Sequence, residues 1–290
     1  MTRHLLDVDD LSSAELAEVL DLAAVAAPVR VLEGKGVACL FEKPSARTRN
    51  ATEMAIVELG GHPVTMRGEE VGLDVRESTE DVARTLACYH AAICARVYDH
   101  TKLERMAAAV DVPVVNLLSD RAHPCQAIAD LLTLRQEFGH LDGLTVAYIG
   151  DWNNVARSLG LALGLVGAAI RFGCPPGYGP GAAELDLLRA TLSERPEDAV
   201  KGADAVYTDV WTSMGQEDEA AARRSAFAGW TVTPELMSAA APEAIFLHCL
   251  PAHRGEEVDA AVLDGPASRV WPQAANRLAA ARGALWWLAR

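Results

Sequence analysis

The sequence predicts an α/β chain: two doubly wound parallel-sheet domains, a long connector helix between them, and a C-terminal helix packing back on the N-terminal domain. Three observations carry that expectation. Short β-like runs alternate with amphipathic helical patterns along almost all of the 290 residues, the pattern left by parallel strands joined through helical crossovers. Runs such as Ala244-Ile245-Phe246-Leu247 are apolar without alternation, as strands covered on both faces must be. Eight such runs in a chain of this length suit two sheets of roughly four strands each better than one.

Taken in order, strands are expected at 36–41, 62–66, 91–97, 113–118, 144–150, 168–173, 204–210 and 244–249. Helical patterns fall between them near 47–59, 79–90, 101–110, 123–138, 155–166, 181–193 and 256–263, with a last one at 273–289. Val37-Ala38-Cys39-Leu40-Phe41 reads as a buried strand. The helix from His123 to Phe138 stops at Gly139 and is the expected connector. The Ala/Leu/Trp-rich segment Gln273 to Trp287 is the returning helix. Domains are therefore expected over 1–135 and 136–272, with 273–290 rejoining the first. No repeat, low-complexity tract or Gly/Ser linker separates them, so close coupling is expected.

Composition narrows the function classes. Half of the residues are hydrophobic and 23% are charged, enough to build full cores. The net charge of -14 argues against a nucleic-acid or anionic-membrane partner, since both need a basic face. A small anion, which needs only local positive charge, stays open. The six cysteines are scattered with no CxxC pair, as expected of reduced thiols in a cytoplasmic protein. No signal peptide is visible at the start, and the longest apolar stretch, around Leu159–Ile170, is too short to span a bilayer.

Doubly wound sheets bind ligands beyond the carboxyl ends of their strands, so the chemistry is sought there. After 36–41 comes "EKPSARTRN", with Lys43, Arg47 and Arg49 interleaved with Ser45 and Thr48 at the start of a helix. Hydroxyls, unpaired first-turn amides, the helix dipole and arginines together make an anion seat without a Walker loop. Arg96 closes the third run, and "SDRAHPCQ" after the fourth sets His123 and Gln126 one turn apart as donors to a carbonyl or phosphate oxygen. The later strand ends carry "DWNN", "DVWTSMG" and "HCLPAHRGEE". Their carboxylate, amide, hydroxyl and thiol groups suit an amino-acid-like ligand. His248, Cys249 and His253 raise the question of zinc, but neighbours along a strand point to opposite faces, which argues against it. "GYGPG" reads as a turn, because no GxGxxG follows a strand.

Together "FEKPSARTR", "HPCQ", "DVWTSMG" and "HCLPAHRGEE" resemble the aspartate/ornithine carbamoyltransferase superfamily over nearly the whole chain, with the SMG loop and HCLP pointing to its ornithine branch. The resemblance implies transfer of the carbamoyl group of carbamoyl phosphate to the δ-amine of L-ornithine, giving citrulline and phosphate in arginine metabolism. It implies that Ser45, the Ala46 amide, Arg47 and Thr48 hold the phosphate while Arg96 bridges phosphate and carbamoyl oxygens. His123, Gln126 and Arg277 of "ANR" would contact the carbamoyl group. Asn154, Asp209, Ser213 and the Met214 amide would bind ornithine, with Cys249 and the Leu250 carbonyl beside the δ-amine and the carbamoyl group. Arg47, Arg96, His123, Asp209, Cys249 and Arg277 are the implied catalytic set. No metal or organic cofactor is implied, and a homotrimer is.

Departures from the family pattern are local. Val71–Ser78 lacks the Gln or His that in relatives reaches a neighbouring subunit, Ala275 replaces the Glu of the usual AENR, and Ala46 replaces a frequent threonine. The chain is also trimmed near Ala26–Arg30 and Ser193–Asp198. A carbamoyltransferase for another amine, putrescine or N-acetylornithine, and a non-catalytic paralogue remain as alternatives. A nucleotide-dependent oxidoreductase is set aside for want of the glycine fingerprint.

Overall fold

A computed structural model describes residues 2–212 and 217–290. Its strands are β1 Gly36–Phe41, β2 His62–Arg67, β3 Ile93–Arg96, β4 Val114–Leu118, β5 Thr145–Ile149, β6 Ala169–Gly173, β7 Thr191–Ser193, β8 Ala205–Thr208 and β9 Ile245–His248. The α-helices are α1 Ser13–Ala24, α2 Ala46–Glu58, α3 Gly68–Val71, α4 Thr79–Ala87, α5 His100–Ala109, α6 Pro124–Phe138 and α7 Asn154–Leu165. They continue with α8 Ala182–Leu188, α9 Pro196–Val200, α10 Ala220–Ala226, α11 Pro234–Met237, α12 Ala260–Leu263 and α13 Val270–Leu288. All sheet pairings are parallel. One sheet has the order β2-β1-β3-β4 and the other β7-β6-β5-β8-β9.

The chain divides into two compact units. The first comprises 1–132, 157–162 and 275–290, and the second 133–156 and 163–274. Each sheet reverses its winding direction at one place, between β1 and β3 in the first and between β5 and β8 in the second. At such a switch point the flanking crossovers leave on opposite faces, which opens a crevice at the carboxyl ends of those two strands. Topology alone therefore nominates the exits of β1, β3, β5 and β8.

Local sequence accounts for the elements around these exits. Val37 to Phe41 are buried in β1, which lies between two parallel neighbours. Ser45 has an extended φ of -159° and caps α2, its Oγ accepting from the Thr48 N–H at 3.2 Å; such a cap contributes about 1 kcal/mol. Pro124 opens α6, where a missing N–H costs nothing, and the chain stays buried from His123 to Leu134. In the first unit α13 docks on α1 through Gly283, where a Cβ would lie 2.7 Å from the Val19 carbonyl oxygen. Arg282 secures the same contact by donating to the Ala23 carbonyl at 2.8 Å and to Glu58 at 2.7 Å. Elsewhere in the first unit, Arg105 grips Asp74 at 2.8 and 2.9 Å and holds its carboxyl down at about 2.

Several expectations need correction. The second sheet has five strands, not four. The helix expected over 181–193 stops at Leu188, because Arg189 takes a left-handed φ of 50° and the chain re-extends into β7. This edge strand has three residues and a partly exposed Leu192 as its only large apolar side chain, so it left no periodic signal. The helix expected at 256–263 is only the single turn 260–263. The short helices α3, α9, α10 and α11 were not anticipated, being too brief to show a 3.6-residue period.

Candidate active site

In the first unit, β1, β3, α6 and α13 deliver one buried network. Arg96, the last residue of β3, is 5% exposed, and its Nη1 donates to Thr48 Oγ1 at 3.2 Å. Arg277 of α13, also buried, donates to the same hydroxyl oxygen from Nη2 at 3.3 Å and to Gln126 Oε1 from Nη1. Gln126 passes the connection on, its Nε2 donating to Asp130 Oδ1 at 2.7 Å. Two buried guanidiniums thus meet at one neutral oxygen, an arrangement of like charges that a bound anion would relieve.

His123 begins the same segment. Its backbone N–H donates to Ser158 Oγ at 2.8 Å, while its buried ring nitrogen Nδ1 has no hydrogen-bond partner among the described residues. Burial, then the charges of Arg277 and Arg96, hold the imidazole well below its usual pKa. It is therefore neutral at physiological pH and can donate one N–H to an oxygen without adding a third charge. Ser45 and the Ala46 amide sit at the open start of α2, beside a cleft of about 670 Å³ that Arg49, Thr65, Arg67 and Tyr98 also line. Arg47 stands apart from the buried network, its side chain exposed on the first turn of α2. Arg49 is engaged with Glu53 at 2.8 Å.

In the second unit the exits of β5, β8 and β9 meet at a carboxylate. Asp209, 6% exposed, accepts at Oδ1 from the Val210 N–H at 2.8 Å and from Cys249 Sγ at 3.1 Å. Its Oδ2 accepts from Asn153 Nδ2 at 2.9 Å. Asn153 is also the N-cap of α7, which makes Asn154 the first helical residue, half-buried next to it. Leu250 has a left-handed φ of 59°, unusual for a branched side chain. A buried brace holds it there: its N–H donates to His248 Nδ1 at 2.9 Å, and His248 Nε2 lies 3.1 Å from Glu257 Oε1. Ser213 and Met214 lie outside the described residues.

The expectation that His248 and Cys249 face apart is wrong. β9 ends at His248, so strand alternation no longer governs Cys249, and ligand atoms of Asp209, His248 and Cys249 fall within 4.8 Å of one another. Both ring nitrogens of His248 are, however, already occupied by Leu250 and Glu257.

Sequence reasoning missed the supporting residues. Ser158, Asn153 and Asp130 each hold a predicted site residue. The buried Asp151–Arg223 pair at 2.8 Å braces the chain after β8, Arg223 also donating to the Trp211 carbonyl at 3.1 Å. Burial pushes the Asp151 carboxyl up to about 6 in spite of Arg223. At Arg223 burial is outweighed by its two acidic neighbours, Asp151 and Glu219, and its pKa is raised. Only Asn153 had left a readable signal, as an asparagine just ahead of a helical pattern.

Comparison with known proteins matches both halves of the chain to one family. Residues 3–136 match the carbamoyl-P binding domain of aspartate/ornithine carbamoyltransferase, and residues 142–288 match the Asp/Orn binding domain. The ornithine carbamoyltransferase of Acidothermus cellulolyticus is 49% identical over 99% of this chain and 97% of its own length. An anabolic ornithine carbamoyltransferase of Pyrococcus furiosus is 43% identical over 98% of this chain and 96% of its own. The crystal structure of the Thermus thermophilus ornithine carbamoyltransferase superposes with a TM-score of 0.93 at 44% identity, covering all of both chains.

Proposed function

This chain belongs to the aspartate/ornithine carbamoyltransferase family, and from that premise we propose that it transfers the carbamoyl group of carbamoyl phosphate to the δ-amine of L-ornithine, releasing L-citrulline and phosphate. The observation that carries the reading is the convergence of Arg96 and Arg277 on Thr48 next to a neutral, buried His123. That set offers fixed positive charge to a phosphate dianion and an uncharged donor to a carbonyl oxygen.

The mechanism follows from these groups. Ser45, the Ala46 amide, Arg47 and Thr48 seat the phosphate at the start of α2. Arg96 spans the phosphate and carbamoyl oxygens, while His123, Gln126 and Arg277 bind the carbamoyl group. The neutral δ-amine attacks the carbamoyl carbon, and negative charge grows on the carbonyl oxygen and on the leaving phosphate. Donors already fixed around those oxygens stabilise it without reorganising. An alkyl amine has a pKa of about 10.4 and must first lose a proton; Asp209 and Cys249 orient it or take that proton, with the Leu250 carbonyl beside them. Asn154, Asp209, Ser213 and the Met214 amide bind the α-amino and α-carboxylate groups of ornithine. Holding both substrates turns a bimolecular reaction into an effectively unimolecular one.

Residues 1–135 serve carbamoyl phosphate and 136–272 serve ornithine, while 273–290 return Arg277 to the first. The protein works without a cofactor, as a cytoplasmic homotrimer in arginine metabolism. Among the described residues no helix is long and apolar enough to cross a membrane. The test is release of phosphate and of the carbamoylated amine, citrulline in the case of ornithine, measured with ornithine, putrescine, N-acetylornithine and aspartate as acceptors. Turnover is expected with ornithine; turnover with putrescine and none with ornithine would overturn the assignment.

A further inference from the structure

We propose that Asn153 is a positioning residue for Asp209, an inference that rests on the acceptor-binding role given to Asp209 above. Asn153 follows β5 and Asp209 follows β8, the two strands that flank the switch point of the second sheet. The orientation of the Asn153 amide is forced. Its Oδ1 accepts from the N–H groups of Val155 and Ala156 at 2.9 and 3.0 Å, and the Tyr148 hydroxyl reaches the same oxygen at 3.4 Å. Helix amides can only donate, so the oxygen must face the helix and the nitrogen must face away from it. That nitrogen donates to Asp209 Oδ2 at 2.9 Å.

Asp209 is consequently gripped on both oxygens, by Val210 and Cys249 at Oδ1 and by Asn153 at Oδ2. The cap of α7 and the aim of the carboxylate are one side chain's two duties, and chemistry separates them. Aspartate and serine cap a helix about as well as asparagine does, whereas alanine does not. Neither replacement reaches Asp209 with an N–H, and aspartate would set a second carboxylate against the first, a like-charge contact.

The test compares Asn153→Asp, Asn153→Ser and Asn153→Ala with the wild type in steady-state kinetics and thermal unfolding. Asn153→Asp should lower kcat/KM for ornithine by about a hundredfold and Asn153→Ser by about tenfold, the range for losing a charge-assisted hydrogen bond. The loss should fall on the ornithine KM, with the carbamoyl phosphate KM within about twofold of wild type and Asn153→Ser melting near the wild type. Asn153→Ala, which alone loses the cap, should melt below Asn153→Ser. Activity that follows capping instead, with Asn153→Asp as active as wild type and Asn153→Ala the poorest, would overturn the positioning role. A wild type that makes no citrulline from ornithine overturns the functional reading itself, a result distinct from an inverted order among the variants.

Discussion

In the first unit two buried arginines meet at the Thr48 hydroxyl, with a neutral histidine close by; in the second a buried aspartate is gripped by an amide, a backbone N–H and a thiol. The first cluster concentrates positive charge in the protein interior of a chain whose net charge is -14. The second buries negative charge and satisfies it with short donors on both oxygens. The contrast matches the ligands each is proposed to hold, a phosphate dianion and an ammonium-bearing amino acid. It also sets how each should fail. Removing a cation from the first cluster removes charge stabilisation that matters most in the transition state. Disturbing the second should weaken the holding of one substrate.

The largest expected effect is therefore in the first cluster. Arg277→Met should lower kcat for citrulline formation by about a hundred- to a thousandfold, the range for deleting one preorganised oxyanion donor. It should also release Gln126 from its hydrogen bond. A variant whose only change is a higher ornithine KM would move Arg277 into the acceptor half and blur the comparison.

Acid titration should separate the two units by sign. The His123 pKa is depressed in the folded chain, so below about 6.5 the unfolded state binds the extra proton and stability is lost as pH falls. The Asp151 carboxyl is raised to about 6, so its contribution is fully present below the ordinary carboxyl value of 3.8 and is lost as pH rises through about 6. Denaturant unfolding between pH 4 and pH 7.5 should show Asp151→Asn and His123→Asn changing the slope in opposite directions. Slopes that change alike would contradict the burial-driven shifts.

A smaller effect is expected where the phosphate seat begins. Ser45→Ala removes the cap of α2 and should cost about 1 kcal/mol of stability, measured by urea unfolding. Ala46→Thr should change carbamoyl phosphate affinity only modestly, because position 46 contributes its backbone amide.

The contrast also bears on what a sequence discloses. Parallel strands with both faces covered are apolar throughout, so β1, β5, β8 and β9 were legible, and so were the polar residues that interrupt them at their ends. Strand β7 was not, since an exposed three-residue edge needs no apolar run. The groups proposed to act directly, Arg96, His123, Asp209 and Cys249, stand next to those strands and could be read from the motifs there. Ser158 and Asp130, their supports, could not, and Asn153, legible as an asparagine ahead of a helix, could not be paired with Asp209. Ser158 lies 35 residues from His123, and Asn153 lies 56 from Asp209, so only the folded chain brings them together. The His248–Cys249 pair failed for a local reason: strand alternation ceased one residue earlier than the apolar pattern implied.

The division of labour between the clusters can be read most directly by calorimetric titration of carbamoyl phosphate, without ornithine, into the wild type, Arg96→Met and Asp209→Asn. Arg96→Met should weaken binding by about a hundredfold or more, the loss expected for a buried charge-assisted contact. Asp209→Asn should stay within about twofold of the wild type. Equal losses in the two variants, or full binding by Arg96→Met, would overturn that division.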